Sequence, residues 1–346
     1  MKKRDQSIDI MRLIWLLLII LAHTISPQTL IFQLRNFDVP MMVVISGMSF
    51  FLSNNNRKID LKWYYIKRIV RLILPTWVFL SIFFIITYLI NYITWNNFLF
   101  EWKIIWTFLL FQWATSIWYV WIIRVFLLVA LINPLLYKIY NKFNKVIFIL
   151  ILLIIYIIYS LLINYFPFSW KNIGDIFIHQ YIYYLIPYWI LSGFWILLVN
   201  LKLKNRLIWI WLLFSILIWI LFSKYWLDNF KFFPQDFKYP ARDYYLIWWL
   251  FISFLISTVF IKINLKWFFK SILEFFSSFS LWLYFWHIII LTIINSNLNI
   301  NNWYKKFIIV LFITIIIMYI HKRFFNYILK FFKKKTQKNI KILFLT

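Results

Sequence analysis

Two polar side chains interrupt the first apolar stretch of the sequence, DIMRLIWLLLIILAHTI (residues 9–25), where ten apolar residues separate Arg12 from His23. At about 100° per residue, this spacing predicts that both side chains share one helix face, about 16 Å apart along the axis. A histidine in this position is a candidate general base. The alternative is structural: Arg12 extends to the membrane surface and His23 ends the helix.

A second pair of candidate residues, Arg68 and Arg71, lies three residues apart in KRIVRLILPTW, where another apolar run begins. Residues at this spacing share a helix face, and paired guanidinium groups bind phosphate oxygens. The pair predicts a site for a nucleotide or coenzyme phosphate, although anchoring at the cytoplasmic surface explains the same spacing. Asp9 lies one turn before Arg12 and is expected to hold that guanidinium in place.

The elements that must position these residues are membrane helices. Of the 346 residues, 64% are hydrophobic and 24% aromatic, and only three are glycine. No soluble fold buries so much apolar surface, so the sequence predicts an all-α integral membrane protein with about ten transmembrane helices. The predicted spans are 8–25, 39–53, 69–90, 114–137, 146–164, 180–199, 207–222, 244–261, 272–294 and 304–321. Residues 98–113 are predicted to form an interfacial or re-entrant segment.

The distribution of basic residues predicts the topology. With a cytoplasmic N-terminus, 27 of the 37 lysines and arginines fall in cytoplasmic segments, nine fall in outer ones, and Arg124 lies within a span. Both termini are therefore expected to be cytoplasmic. Residues 1–321 are predicted to be one transmembrane domain, followed by a basic cytoplasmic tail, 322–346, on the membrane surface.

Charge and composition also exclude several function classes. The net charge of +27 is spread over the ends of apolar segments, so nucleic acid is not an expected partner. The chain has no cysteine and its four histidines are far apart in sequence. A thiol nucleophile is therefore excluded, and no metal site is expected.

Five segments resemble, in order, motifs of the bacterial membrane-bound acyltransferase-3 family. DIMRLIWLLLIILAH is similar to its first span, in which ten residues separate an Arg from a His, and KRIVRLILP is similar to its Arg-x-x-Arg before a proline. FDVPMMVVISGMSFF resembles its second span, with Ser46 and Gly47. SIWYVWIIRVFLLVALINPLL resembles its Trp-Tyr/Phe-Leu span, with Trp118 and Tyr119, and FFSSFSLWLYFWHIII resembles its late Ser-x-x-Leu-Tyr-x-x-His span, which ends at His287.

The resemblance implies a membrane enzyme that moves an acyl group, usually acetyl from cytoplasmic acetyl-CoA, to a hydroxyl of an extracytoplasmic or lipid-linked glycan. It implies that His23 is the catalytic residue, accompanied by Arg12, which Asp9 is expected to hold. Arg68, Arg71 and Arg12 are expected to bind the phosphates of the coenzyme. The chain looks like a stand-alone form, without an esterase-like domain, in a bacterial cytoplasmic membrane that it crosses many times.

Weaker substrate contacts are expected from His287, Trp118, Tyr119 and Ser46. For His287 the alternative is a packed histidine bonded to a neighbouring helix. The sequence also departs from the family, because Ser116 stands where a His is common.

Two other functions fit a chain with many membrane spans. A transporter or flippase of lipid-linked glycans is expected to show interrupted helices in two matching halves, which are not evident in the sequence. A polymerase of lipid-linked glycans is expected to carry charged residues on a large outer loop, and residues 223–243 form only a modest one. The expected partners are membrane lipids and a glycan acceptor, and the oligomeric state is left open.

Overall fold

The computed structural model describes residues 5–54, 59–93, 107–109, 111, 120–165, 178–199, 201–225, 233–238, 240–260, 266–298, 300 and 302–345. Every regular element in these ranges is helical, which confirms the all-α class. The α-helices are α1 (Gln6–Ala22), α2 (Leu30–Leu34), α3 (Asp38–Asn54), α4 (Leu61–Ile93), α5 (Trp121–Lys142), α6 (Lys145–Tyr165), α7 (Tyr184–Leu198), α8 (Leu203–Ile220), α9 (Asp243–Val259), α10 (Trp267–Ser278), α11 (Ser280–Asn297), α12 (Trp303–Ile328) and α13 (Lys334–Phe344). Shorter π- and 3₁₀-helical pieces lie at Ile178–Tyr183, Leu221–Tyr225, Pro234–Phe237 and Leu329–Phe331.

Six helical stretches in the described part of the chain are long and apolar enough to cross a membrane. They are Leu30–Asn54, Leu61–Leu89, Trp121–Lys142, Lys145–Tyr165, Leu203–Ser223 and Trp303–Phe331. A seventh is added if α10 and α11 form one span with a bend of 71°. The stretches indicate a multi-pass membrane protein, while the total of ten spans and the cytoplasmic position of both termini stay predictions.

The predicted span 272–294 contains a break between two helices. The chain leaves α10 at Phe279, with φ −107° and ψ 17°, and α11 begins at the next residue. Serines flank this position on both sides, and serine hydroxyls compete for backbone groups, which favours helix ends over helix interiors. The apolar pattern continues across the break, which explains why it predicts one span.

The helix that carries the arginine pair is longer than the predicted span 69–90, because α4 begins at Leu61 and ends at Ile93. The Asp60 carboxylate fixes its start: Oδ1 accepts a hydrogen bond from the Trp63 N–H at 3.0 Å. Arg68 and Arg71 therefore lie about two to three turns inside the helix rather than at its first turn.

The chain divides into two compact units. The first consists of Met1–Ile19, Ser26–Ile59 and Leu128–Leu273. In this unit α7 packs against α3 and α6, and α8 packs against α9. Gly47 on α3 allows the close approach to α7, because a Cβ there would lie 2.8 Å from Ser192 Oγ and 3.2 Å from the Ser192 carbonyl oxygen. Ser192 Oγ in turn donates to Asn133 Oδ1 of α5 at 2.6 Å, and both side chains are fully buried.

The second unit consists of Ile20–Ile25, Asp60–Leu127 and Glu274–Thr346. Here α11 packs against α12, and the Phe79 ring of α4 stacks on the Phe285 ring of α11, with centroids 4.3 Å apart and planes 5° from parallel. Residues of the predicted tail belong to this unit, and the division at residue 321 stays a prediction. α12 continues past residue 321 to Ile328, and α13 folds back against α4.

Candidate active site

α1 positions Arg12 beside two oxygen-bearing side chains. Asp9 Oδ1 lies 3.8 Å from Arg12 Nη1, one turn earlier, as the spacing predicts. Arg12 Nη2 also donates to Ser49 Oγ of α3 at 3.4 Å. The Asp9 side chain is buried, whereas 29% of the Arg12 side chain is exposed. The guanidinium is thus held on one side and remains accessible on the other.

His23 lies in the turn that directly follows α1, and its backbone N–H donates to the Ile20 carbonyl at 3.2 Å. The helix thus ends one residue before the histidine. The half-buried His23 ring stacks on the His287 ring of α11, with centroids 5.6 Å apart and planes 19° from parallel. Two of the predicted site residues, 264 positions apart in the sequence, therefore meet in the second unit.

His287 is fully buried, and its ring nitrogens form no well-aligned hydrogen bond with the described residues, although the backbone carbonyls of Leu283 and Tyr284, one turn earlier, lie close to the ring. Besides His23, its ring contacts Tyr284 one turn earlier, with centroids 5.1 Å apart. No hydrogen bond from His287 to a neighbouring helix is present among the described residues. A neutral imidazole has one N–H donor and one acceptor nitrogen. The nearby backbone carbonyls can accept only from the N–H, so the acceptor nitrogen has no donor among the described residues.

α4 connects the arginine pair to the level of the two histidines. The guanidinium of Arg68 lies over the Tyr64 ring, 5.4 Å from its centroid, and Arg71 is exposed. Phe79, eight residues beyond Arg71, is about 12 Å further along the helix axis. It stacks on Phe285, which precedes His287 by two residues. A ligand held at the arginines would have to extend over roughly this distance to reach the histidines.

The structure gives no evidence for the other predicted substrate contacts, Ser46, Trp118 and Tyr119. Ser46 is half-buried on α3 next to Gly47, where close packing against α7 accounts for small residues. Trp118 and Tyr119, and with them Ser116, lie outside the described residues. Their expected contacts with substrate stay predictions.

Sequence reasoning missed one group of buried polar residues, made up of Arg35, Asn36, Asp38 and Lys238. A signal was present, since an Arg and an Asp three residues apart suit an ion pair at a helix start. It was not decisive, because basic residues in short connections also follow from membrane topology. Nothing in the local pattern links Lys238 to the other three residues.

A family model described as an acyltransferase domain, the acyltransferase-3 model, matches residues 5–323, which is most of the chain. The match includes α1, His23, the arginine pair of α4 and His287. No curated protein and no solved structure matches the chain.

Proposed function

The chain belongs to this acyltransferase-3 family, and from that premise we propose that it transfers an acetyl group from cytoplasmic acetyl-CoA to a hydroxyl of an extracytoplasmic or lipid-linked glycan. The family makes it an enzyme that transfers acyl groups. The donor, the glycan acceptor, the bacterial cytoplasmic membrane and the residue roles are the proposal.

The observation that carries the proposal is the contact between His23 and His287. A partly exposed imidazole lies against a fully buried one whose acceptor nitrogen has no donor among the described residues. Buried polar groups in folded proteins nearly always have partners, so this arrangement suits groups that bind a substrate. His23 is the residue that substrate can reach, and His287 lies beside it.

The donor is assigned to α4. Arg68 and Arg71 provide guanidinium groups for the phosphates of acetyl-CoA. The pantetheine arm would then extend along α4 and present the thioester to His23. The exposure of Arg71 supports this assignment, because a soluble coenzyme can reach an exposed group. The phosphate role of Arg12, which belongs to the first unit, stays a prediction from the sequence.

Two routes for acyl transfer remain open. In the first, His23 takes the proton of the acceptor hydroxyl, the oxygen attacks the thioester carbonyl carbon, the C–S bond breaks, and the thiolate of coenzyme A receives the proton. In the second, an imidazole nitrogen of His23 attacks the thioester carbonyl carbon, the C–S bond breaks, and the thiolate of coenzyme A takes the ring N–H proton. The acceptor hydroxyl then attacks the acyl carbon, the C–N bond breaks, and the hydroxyl proton returns to the imidazole. Under either route His287 is assigned to binding, with its acceptor nitrogen directed to a donor group of the acceptor.

The direct test of the catalytic assignment is acetyl transfer from radiolabelled acetyl-CoA in membranes that contain equal amounts of wild-type or His23→Ala protein. We expect a loss of about 10²–10⁴-fold, the usual contribution of a general base. Unchanged transfer by His23→Ala would remove His23 from the reaction.

The donor site has a matched control within the same unit. Arg323 on α12 lies over the Tyr319 ring at 5.3 Å, much as Arg68 lies over Tyr64. Loss of a charged hydrogen bond costs about 1.5–3 kcal/mol, so Arg68→Ala should raise the KM for acetyl-CoA about 10-fold to 100-fold. Arg323→Ala should leave it unchanged. Equal KM values for the two variants would refute the phosphate role of Arg68.

A further inference from the structure

Two neighbouring cavities lie within the first unit, and both are bordered by α6 and α9. The larger one, which we call the polar cavity, measures about 380 Å³ and is within the usual range for ligand pockets. Hydroxyl, amide, guanidinium and carboxylate groups contribute to its lining, from Tyr156, Tyr159, Ser160, Asn164, Arg242 and Asp243. The Tyr159 hydroxyl donates to the Ala241 carbonyl oxygen at 3.0 Å, which ties α6 to the start of α9 at this cavity.

The second cavity, which we call the apolar cavity, measures about 270 Å³ and extends between α6, α7, α8 and α9. Aliphatic and aromatic side chains dominate its lining, among them Leu152, Phe194, Leu213, Leu250 and Phe254. A lining of this kind suits a hydrocarbon chain, which needs no hydrogen-bond partner, rather than a water molecule or a sugar.

The two cavities meet at Tyr156 and Asp243, because both residues line both of them. Along α6 the apolar cavity borders residues from Ile149 to Tyr156, and the polar cavity borders residues from Tyr156 to Asn164. At 1.5 Å per residue, Ile149 and Asn164 are about 22 Å apart along the axis. The lining of α9 changes from polar to apolar at Asp243 in the same way. The cavities therefore form one elongated site with a polar end and an apolar end.

This site has the orientation that a membrane lipid requires. α6 is long and apolar enough to cross a membrane, and Asn164 of the polar cavity lies one residue before its end at Tyr165. The ends of a spanning helix lie at the level of the lipid headgroups, and its middle lies among the hydrocarbon chains. Leu153 lines the apolar cavity and is 43% exposed on the outer surface of α6, so a chain can enter from the side of the membrane.

We propose that this site binds one membrane lipid, with a hydroxyl-bearing headgroup in the polar cavity and a hydrocarbon chain in the apolar cavity. A hydroxyl group both donates and accepts hydrogen bonds, which matches a lining that combines a guanidinium with a carboxylate. A headgroup that consists of phosphate alone would meet the carboxylate of Asp243 as well as the guanidinium of Arg242. The inference is independent of the acyl transfer proposed above, because the described lining contains neither the two histidines nor the arginine pair.

The experiment is photo-crosslinking of the purified full-length protein in detergent with two synthetic lipids that share one diazirine-bearing chain. One lipid carries a glucosyl headgroup, and the other carries phosphocholine, which has no hydroxyl group. We expect the glucosyl lipid to label residues 149–156 of α6 and 209–216 of α8 in a saturable way, and the phosphocholine lipid to label them less. Mass spectrometry of the digested protein locates the label. Non-saturable label over all exposed helix faces, or equal labelling of the cavity by both lipids, would overturn the inference.

Two kinds of variant connect the label to the two ends of the site. Ile216→Trp places a larger side chain in the apolar cavity and should remove the saturable labelling. Ile218→Trp is the matched control, because this residue lies about 200° around the same helix and is 36% exposed. Saturable labelling that persists in Ile216→Trp would contradict the position of the chain.

Arg242→Ala tests the polar end at an exposed position, where folding does not depend on the side chain, and so keeps the proposal falsifiable if Ile216→Trp does not fold. It should weaken labelling by the glucosyl lipid about twofold to tenfold, the contribution of one hydrogen bond, and leave labelling by the phosphocholine lipid unchanged. Equal losses for the two lipids, or no loss for either, would contradict the role of the polar cavity and with it the inference.

Discussion

Two histidines of the second unit, His287 on α11 and His321 on α12, are both buried but differ in their hydrogen bonds. His321 Nδ1 accepts the indole N–H of Trp286 at 3.3 Å, and its Nε2 donates to the Phe344 carbonyl oxygen at 2.7 Å. Neither nitrogen of His287 has such a partner in the described ranges. His321 connects α11, α12 and α13, whereas His287 contacts the ring of His23.

The difference in hydrogen bonding indicates that His321 has a structural role and His287 a role in the reaction. A buried polar group with satisfied hydrogen bonds contributes to stability, and its loss leaves its partners unsatisfied. A buried polar group without partners lowers stability, so its presence calls for a function that compensates for the cost. Burial alone does not distinguish the two histidines, and position within an apolar helix does not either.

Of the changes that separate the two buried histidines, His287→Leu has the largest expected effect, because it keeps an apolar side chain in place and removes both ring nitrogens. We expect acetyl transfer to fall about 100-fold, the lower range for a group that acts on protons or on the reacting oxygen. The unfolding temperature in detergent should stay the same or rise, because an unsatisfied polar group is removed. Full activity together with a lower unfolding temperature would assign His287 to packing instead.

His321→Leu should give the opposite pattern. It leaves the Trp286 N–H and the Phe344 carbonyl without partners, so the free energy of unfolding should fall by about 2–4 kcal/mol. Because Phe344 ends α13, trypsin should also cleave the lysines of α13 faster. Specific activity per folded molecule should stay within about twofold of wild type, since no role in proton transfer is lost. If His321→Leu lost as much activity as His287→Leu without any loss of stability, His321 would not have a purely structural role.

The hydrogen-bonded pair Ser192–Asn133 of the first unit provides a structural comparison, because Gly47 packs directly against Ser192. Gly47→Ala adds a Cβ 3.2 Å from the Ser192 backbone, which cannot easily move, and should destabilise the protein by about 1–3 kcal/mol. Gly193→Ala is the control, because the three atoms nearest to its Cβ would all belong to the flexible Leu152 side chain, the nearest at 2.7 Å. Denaturant unfolding of both variants measures the difference, and equal losses would show that the backbone approach at Gly47 is not tight.

The smallest expected effect concerns Lys238 and pH. The pKa of Lys238 is about 8 in the folded protein because of burial, compared with about 10.4 when unfolded. Between these values the unfolded chain binds more protons, so stability rises with pH by at most about 3 kcal/mol. Lys238→Met lacks this contribution. The difference in unfolding temperature between the two proteins should therefore shift in favour of wild type between pH 7.5 and 10, and parallel curves would contradict the burial of a charged Lys238.

The sequence predicts local features of this fold more reliably than contacts between distant segments. The helical class, the bounds of α6 and the Asp9–Arg12 contact follow from apolar periodicity and i,i+3 spacing. The break at Phe279 does not, because apolar residues continue through it. Serines on both sides were the available signal.

For the candidate site, too, the sequence predicts local spacing but not contacts between distant segments. Spacing identifies His23, Arg12 and the arginine pair one helix at a time. It cannot show that His287 contacts His23, because that contact depends on how α11 packs. Nor can it show that Lys238 is buried near Asp38, since a lysine in a connecting loop is normally solvated or explained by topology.

The most direct test of the central claim is a double-mutant cycle of His23→Ala and His287→Leu, measured as the rate of acetyl transfer from saturating acetyl-CoA. Residues that act as one catalytic unit are strongly non-additive. We therefore predict that the double variant is no slower than the slower single variant. Losses that multiply, or full activity of His287→Leu, would contradict the account that the two stacked imidazoles form one site.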